Sequence, residues 1–453
     1  MTSGWRLALR NLARNKRRNF ATGMAIALGF ASLLALGGYV NRVEKYLRNY
    51  TIYGARTGHI VIYKKGGFEK FSVRPKVYSL NEGDQVKIKE VLAATAGIEM
   101  HGGQLTGQGL VGNGCRTFPF LALGIEPELE RKLREHPLVK RWTPAVKDLS
   151  KGRGIWDYPS ELGAVALANG LAKILGKAKV LDDFPEGHRP VLITDCLAPD
   201  VPSQISGDAN VQLASGTWDG MMSALDGEVV AHYNTGVTET NNAAILTSLS
   251  HLQKLYDTKG VTFWSVWLED AEKTDYFADK LKIALKDAGV DVDVFTWLDE
   301  DVAPFYSGTM SFLRTMVGFI TIILATVVIL SIFNSSTMTV IERSQEIGMM
   351  RSLGYTRGQV RKLFVQEVFC LTLISTAIGA VFAVLGILFV NSLHVQFRPP
   401  GIAGGIRLVL EPSTETIVAA TILVISLSLL TTLIAVKNMV SRPITLLLMG
   451  SNR

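Results

Sequence analysis

The sequence predicts an α-helical membrane protein with four transmembrane helices and a large α+β extracytoplasmic domain between helices 1 and 2. Three observations carry this. Four stretches hold no Asp, Glu, Lys or Arg for about 20 residues or more, enough to cross roughly 30 Å of hydrocarbon: Phe20–Val40, Thr315–Ile341, Val368–Phe397 and Thr416–Val436. The long segment between the first two has the composition of a folded domain. The net positive charge of the chain gathers in the segments on one side of the spans. The chain has 453 residues, 48% of them hydrophobic, too apolar for a soluble protein of this size and too polar for spans alone.

Each span must be helical, because lipid offers no partner to an open backbone N–H or C=O. Orientation follows from the basic residues at the span ends. Arg6, Arg10, Arg14, Lys16, Arg17 and Arg18 precede the first span with no acid among them. Arg343, Arg351, Arg357, Arg361 and Lys362 lie between the second and third, and Lys437, Arg442 and Arg453 follow the fourth. In a four-span topology these segments share a side, so both termini are cytoplasmic. Net of Glu342, Glu346 and Glu367 they carry +6, +2 and +3, together +11 against +7 for the whole chain, which leaves −4 outside. The basic surplus is therefore a topology signal. A nucleic-acid binder needs a basic face on its folded domain, so no nucleic-acid partner is expected.

The expected organisation is a cytoplasmic amphipathic helix over 1–19, spans over 20–40, 315–341, 368–397 and 416–436, an extracytoplasmic domain with stalk ends over 41–314, a cytoplasmic loop over 342–367, a short outer loop over 398–415 and a tail over 437–453. Within 5–19, Trp5, Leu9 and Leu12 fall at helical spacing and Arg6, Arg10 and Arg14 form a second stripe, as in a helix lying on the membrane surface. Flanking charge that merely anchors the first span is the simpler alternative. The basic and apolar runs are both too long for a cleaved signal peptide, so the first span reads as an uncleaved anchor.

Beyond the first span, Tyr39, Val43, Tyr46, Leu47 and Tyr50 continue the helical pattern, and Asp299–Arg314 forms a similar approach to the second. In the outer domain His59–Tyr63, Phe118–Leu123 and Thr262–Leu268 suit strands, whereas Asp84–Ala94, Ala164–Leu175 and Lys273–Ala288 suit helices. Residues 182–227, rich in Asp, Pro, Gly and Ser, read as an irregular insertion. Gly23 and Ala27 on the first span, and Ser375, Gly379 and Ala383 on the third, form small-xxx-small rows that let helices approach closely. The absence of Asp, Glu, Lys and Arg inside the spans argues against a proton relay or ion channel.

Chemistry-bearing motifs are missing. Gly170–Lys177, GLAKILGK, resembles a phosphate loop but has one residue too many between its glycines and Ala178 in place of Ser or Thr; it reads as a continuous helix. His101-Gly102-Gly103-Gln104 lies on the outer side, away from ATP. GxSxG and HExxH do not occur, and Asp291 with Asp293 lacks the glycine and glutamate of a calcium loop. The chain is expected to be non-catalytic and to hold no metal. Cys370 reads as a packing residue of the third span. Cys115 and Cys196 share the outer domain, where a disulfide can form, and their spacing leaves a bond and two buried thiols equally open.

The densest local signal is Glu342–Val360, ERSQEIGMMRSLGYTRGQV. Glu342–Ser352 continues the helical register of the second span. Gly354 suits the left-handed position that ends a helix. Thr356 and Gln359 fit a capping box that starts the next helix, with Val360, Leu363, Phe364, Glu367 and Val368 on one face. A force on this turn would reach the second and third spans. A charged hairpin that only caps two spans is the bland alternative.

These residues resemble the signature of the FtsX-like permeases of ABC transporters, the family of LolC, LolE and MacB. Its pattern is roughly R-x-x-E-I-G-x-x-R-x-L-G, and Arg343, Glu346, Ile347, Gly348, Arg351, Leu353 and Gly354 match it. LALRNLARNKRR resembles the family's N-terminal segment. TGHIVIYKKGGF, GAVALANGLAKILG and NTGVTETNNAAI are similar to LolC/LolE-type segments, whereas 182–227 departs from the pattern. The resemblance implies a permease without a fused ATPase and a MacB-like periplasmic domain. It implies that Arg343, Glu346, Ile347, Gly348, Arg351, Leu353, Gly354, Thr356 and Gln359 contact a cytoplasmic ABC ATPase, two copies of which bind ATP and Mg. A second permease copy or paralogue, membrane lipid and a periplasmic carrier or adaptor are the other implied partners. The implied activity is extraction or export of a lipoprotein, lipid or other amphiphile by mechanotransmission. The alternatives are a non-transporting regulator of a cell-wall hydrolase and MacB-like efflux through an adaptor.

Overall fold

In the computed structural model, residues 10–12, 16–143, 149–158, 163–179, 193, 195–397, 401 and 406–440 are described. Among them, helices of eight or more residues are, in chain order, α1 (Lys16–Asn49), α2 (Glu82–Ala93), α3 (Pro127–Glu135), α4 (Leu249–Tyr256), α5 (Thr274–Asp287), α6 (Pro304–Glu342), α7 (Ser344–Ser352), α8 (Arg357–Ser392) and α9 (Thr414–Val440). The contacts divide into two units. One comprises Met1–Glu44, Thr309–Gln396 and Arg407–Arg453, and the other Lys45–Gly308 with Phe397–Ile406.

The first unit is helical. Among the described residues, four helices are long and apolar enough to cross a membrane: Arg17–Gly54, Pro304–Glu342, Arg357–Ser392 and Thr414–Lys437. At 1.5 Å per residue the 39 residues of α6 run about 58 Å, nearly twice the hydrocarbon thickness. Ile26, Phe30 and Leu34 of α1, Val328 and Ile332 of α6, Ala383 of α8, and Ala420 and Val424 of α9 form its central core. Small residues set the α1–α8 approach. A Cβ added to Gly379 would lie 2.6 Å from the Ala27 carbonyl oxygen, and one on Gly23 would lie 2.9 Å from Ser375 Oγ. Side chains there would push the backbones apart, which is why glycine occupies both positions.

The second unit is α+β with a mixed sheet. Among the described residues its sheet has ten strands, β1 (Ile60–Lys64), β2 (Ile98–Gly112), β3 (Thr117–Ile125), β4 (Leu149–Gly152), β5 (Ala164–Ala168), β6 (Asn210–Gly216), β7 (Met222–Tyr233), β8 (Ala244–Ser248), β9 (Phe263–Leu268) and β10 (Val292–Thr296); nine pair in the order β10-β1-β9-β2-β3-β8-β5-β7-β4, and β6 lies off this path. Because β6 pairs both β2 and β7, six of these strands close a ring, β2-β3-β8-β5-β7-β6. Leu105, Phe120, Val165, Leu167, Leu213, Val229 and Ile245 fill it, and Leu252 and Leu255 of α4 pack against them. The first half of the long strand β2 instead pairs with β9, in the sheet covered by α2 and α5. One strand thus ties two cores together.

Three expectations are corrected. Ala164–Leu175 is not one helix: Ala164–Ala168 is strand β5, entirely buried, and only Asn169–Ile174 is helical. Buried on both faces, β5 needs no polar alternation, so its Ala- and Leu-rich run is indistinguishable from a helix by periodicity. The helix of GLAKILGK therefore stops at Ile174, and Gly176 turns the chain with φ 75°. Within 182–227, the helix Val201–Gly207 and strands β6 and β7 are regular, so the latter part is a hairpin closing the ring; residues 182–192 and 194 lie outside the described residues. Finally, Glu342–Ser352 does not simply continue the preceding helix. The chain breaks at Arg343, with φ −101° and ψ 16°, before α7 begins. Of the expected helix over 1–19, residues 1–9 and 13–15 lie outside the described residues, and 10–12 are helical.

Candidate functional site

The motif folds as a helical hairpin, α7, a turn and α8. Its base is built from inward-facing residues. Ile347 is fully buried among Val340, Val360, Phe364, Val436 and Val440. Arg343 fills the break between α6 and α7. Its Nε donates to Glu346 at 2.8 Å and its Nη1 to Glu367 of α8 at 3.0 Å, and its guanidinium lies 5.6 Å from the Phe364 ring centre. The Arg343 fork thus ties α7 to α8. Arg351 Nη1 donates to the Val440 carbonyl at 3.3 Å, a cation at the end of α9 where helix carbonyls lack internal partners.

The turn is locked by backbone chemistry. Gly354 has φ 96°, a conformation that suits glycine. The Gly354 and Tyr355 amides donate to the Arg351 and Met350 carbonyls at 3.2 and 3.1 Å. Thr356 N donates to Gln359 Oε1 at 2.8 Å, and Gln359 N donates to Thr356 Oγ1 at 3.3 Å, so the capping box forms in full.

The nine motif residues therefore separate into two sets. Arg343, Ile347, Gly348 and Arg351 face the protein interior and build the hairpin, and Glu346 is held by Arg343. Leu353, Gly354, Thr356 and Gln359 lie in the continuous exposed run Ser352–Gln359. Leu353 is 80% exposed and Tyr355 48%, and Met349 is exposed beside them. Tyr355 and Met349 were not singled out in the sequence. Their signal was available: apolar residues in a charged segment that the helical face does not account for.

Elsewhere, Ala383 joins the core between α1 and α8. Cys115 and Cys196 are disulfide-bonded, with α-carbons 5.5 Å apart, and Cys370 is a buried free thiol. No metal-binding group of His, Cys, Asp or Glu occurs among the described residues.

The second unit, the outer one in the topology expected from the sequence, holds a buried charge cluster that sequence reasoning missed. Arg56 Nε and Nη2 donate to the Glu130 carboxylate at 2.5 and 2.6 Å, and Arg134 Nε does so at 2.5 Å. Burial alone would raise the Glu130 carboxyl, but the charges of Arg56 and Arg134 outweigh it and hold it below the ordinary carboxylate value. In the same unit, burial lowers the His59 imidazole to about 4, with Arg48 and His136 adding to the effect. His59 is therefore neutral, and its Nδ1 accepts from Leu268 N at 3.0 Å.

The fold and hairpin define a class: a chain with, among its described residues, four helices long and apolar enough to cross a membrane, an exposed turn between α7 and α8, and a separate α+β unit. Residues 318–444, which include the whole hairpin, match the FtsX-like permease C-terminal family. That segment is similar to the FtsX-like permeases of ABC transporters. It is 26% identical over 151 residues to an uncharacterized ABC transporter permease of Methanocaldococcus jannaschii, 33% of this chain and 38% of that one. It is 32% identical over 89 residues to the ABC transporter permease YtrF of Bacillus subtilis, 20% of each. The matches thus span well under half of either relative. Among solved structures, the periplasmic region of MacB from Actinobacillus actinomycetemcomitans aligns with TM-score 0.34 and 13% identity, covering 56% of this chain and 94% of that one. The extracellular domain of the noncanonic ABC-type transporter YknZ from Gram-positive bacteria aligns with TM-score 0.30 and 15% identity, covering 52% and 98%. Both scores are low, and the likeness to the permease family rests on residues 318–444.

Proposed function

We propose that this chain is the permease subunit of an ABC transporter, driven by a separate cytoplasmic ATPase that binds ATP and Mg. The observation that carries the reading is the hairpin tip. Ser352–Gln359 is exposed throughout, carries Leu353 and Tyr355 outward, and stands on a base fixed by Ile347 and Arg343. An exposed apolar tip on a rigid base suits docking to another protein. A push on it would move α7 and α8 together through Arg343 and Glu367.

In this reading Leu353, Gly354, Thr356 and Gln359 touch the ATPase, while Arg343, Glu346, Ile347, Gly348 and Arg351 hold the tip in shape. Both termini lie in the cytoplasm of a bacterial inner membrane, and a second copy or paralogue completes the transporter with two ATPase subunits. The long helices carry the motion outward, where a lipoprotein, lipid or other amphiphile is extracted or passed to a carrier. The lack of Asp, Glu, Lys and Arg in the uncharged runs favours such mechanical coupling over an ion pathway.

The test is co-purification from gently solubilised membranes, with mass spectrometry of the accompanying chains. Leu353→Asp should lose the ATPase while the permease stays folded. Ile347→Asp should instead destabilise the hairpin, since burying an unpaired carboxylate costs several kcal/mol. An ATPase retained in full by Leu353→Asp and Tyr355→Ala together would refute the tip as the contact.

A further inference from the structure

The long strand β2 changes partner midway. It pairs with β9 as far as Gln104 and with β6 from Leu110 onward. At the gap between these partners lies a cleft of about 420 Å³, in the size range of small-molecule sites. Residues 71–75, between β1 and α2, form one wall, and the β6–β7 turn and the end of α4 form the others.

Three aromatic rings line the cleft, those of Phe71, Trp218 and Tyr256. Phe71 and Trp218 stand nearly at right angles, with ring centres 5.8 Å apart. Glycines make room for these rings. A Cβ added to Gly107 would lie 2.4 Å from the Tyr256 ring, and one on Gly260 would lie 2.8 Å from Trp218. An ion pair of Lys76 with Asp219 ties the wall that carries Phe71 to the turn that carries Trp218.

The polar groups of the cleft are neutral. Ser72, Thr106, Gln108, Ser215 and Thr217 stand among the rings, and no lining residue among those described carries a formal charge. Part of the strand edge is already bonded. The Gln108 carbonyl accepts from Ser215 Oγ and from Tyr256 Oη, each at 2.7 Å, and Thr106 N donates to Thr262 Oγ1 at 2.9 Å. A polypeptide strand added here would have to break these bonds. Ser72 and Gln108 are exposed, and the Gln108 amide offers both donors and an acceptor.

These features discriminate between ligands. A phosphate, carboxylate or ammonium would lose its water and gain no counter-charge. An acyl chain would strip water from the hydroxyl and amide side chains without bonding them. A sugar ring meets both demands, with a C–H face for the aromatic rings and hydroxyls for the amide and hydroxyl groups. We propose that this cleft binds a neutral sugar, carried by a free glycan or by a glycolipid head group. Phe71 and Trp218 are its platform, and Gln108 bonds its hydroxyls. The site lies wholly within the second unit and does not rest on the ATP-driven reading.

The test uses the full chain in phosphatidylcholine nanodiscs, prepared without sugar-based detergent. The particles are applied to an array of neutral di- and trisaccharides with sialylated and phosphorylated sugars beside them. They are also floated with vesicles that carry a neutral glycosyl diacylglycerol or diacylglycerol alone. The wild type should prefer neutral sugars to acidic ones, or glycosylated vesicles to plain ones. Trp218→Ala should weaken this binding by about tenfold, the upper end for an aromatic contact. Gln108→Leu, at an exposed position, should weaken it as well, since a hydroxyl loses its partner. Capture on the array assigns a free glycan, and capture by glycosylated vesicles alone assigns a lipid head group. The proposal is overturned if no neutral sugar binds in either format, if acidic sugars are preferred, if plain vesicles bind equally, or if both variants bind as the wild type does. If Trp218→Ala does not fold, Gln108→Leu decides alone.

Discussion

His59 and Glu130 are both buried, and both make the outer unit sensitive to acid. The His59 imidazole is held at about 4 rather than 6.5, so between those values the unfolded chain binds a proton that the folded chain refuses. Stability from this residue is complete above about pH 6.5, falls as pH drops towards 4, and is level below that. The full effect is roughly 3 kcal/mol. Glu130 is lowered from the ordinary carboxylate value, so its contribution is present above that value and is lost on further acidification. Melting curves from pH 7.5 to 4.5 should therefore slope downward, and His59→Asn, which keeps an acceptor for Leu268 N, should flatten the slope. An unchanged slope would refute the assignment. A second residue-scale prediction concerns packing. Gly379→Val meets the Ala27 backbone, whereas nothing lies within 4 Å of a Cβ on Gly386 of the same helix. The first should lower the melting temperature of the solubilised protein by several degrees and the second should not. Gly379 was legible in the sequence from its spacing with Ser375 and Ala383. Arg56 and Glu130 were not, because they lie 74 residues apart and no local pattern links them.

Elements that lipid or backbone rules dictate were readable, and elements set by tertiary pairing were not. The four apolar helices follow from charge-free length. The capping box at Thr356 and Gln359 and the glycine turn at Gly354 follow from residue type at fixed spacing, and both occur as read. Strand β5 was hidden because its partners, parallel β7 and antiparallel β8, lie far along the chain and bury both of its faces. The β6–β7 hairpin was hidden by its turn-rich composition, since Gly216–Gly220 reads as loop whether or not strands flank it. The disulfide shows the limit of spacing arguments most directly. It joins residues 81 apart, a separation that is silent about distance in space, and it anchors the chain ahead of the Val201–Gly207 helix to the β2–β3 turn. Closing a loop of that length stabilises by about 2–4 kcal/mol. Cys115→Ser with Cys196→Ser should lower the melting point of the outer unit and speed proteolysis near Asp195–Asp200, while ATPase recovery through the hairpin tip stays unchanged. Loss of ATPase binding in this variant would mean that the outer unit and the hairpin are not separable elements.

At the scale of the whole molecule the central claim is sidedness, because the proposed transport needs the hairpin tip and the outer unit on opposite faces of a membrane. The physical basis is the distribution of Lys and Arg. The segments before the first uncharged run, between the second and third, and after the fourth carry all of the chain's net positive charge, and the remainder is net negative. The helices are compatible with this. A span of about 30 Å would occupy only part of α6 and α8, whose lengths would leave each of them several turns of helix beyond a bilayer. Single-cysteine labelling tests it in a Cys370→Ser background, since Cys115 and Cys196 are bonded and unreactive. Tyr355→Cys at the tip and Val86→Cys on α2 are both exposed positions. In cells whose inner membrane is intact but accessible from outside, a membrane-impermeant maleimide should modify Val86→Cys and spare Tyr355→Cys. In inverted vesicles the pattern should reverse. Labelling of both from the same side would place the tip and the outer unit in one compartment. No cytoplasmic ATPase could then reach the hairpin while substrate was handled outside, and the family's C-terminal segment would have to serve something other than transport in this chain.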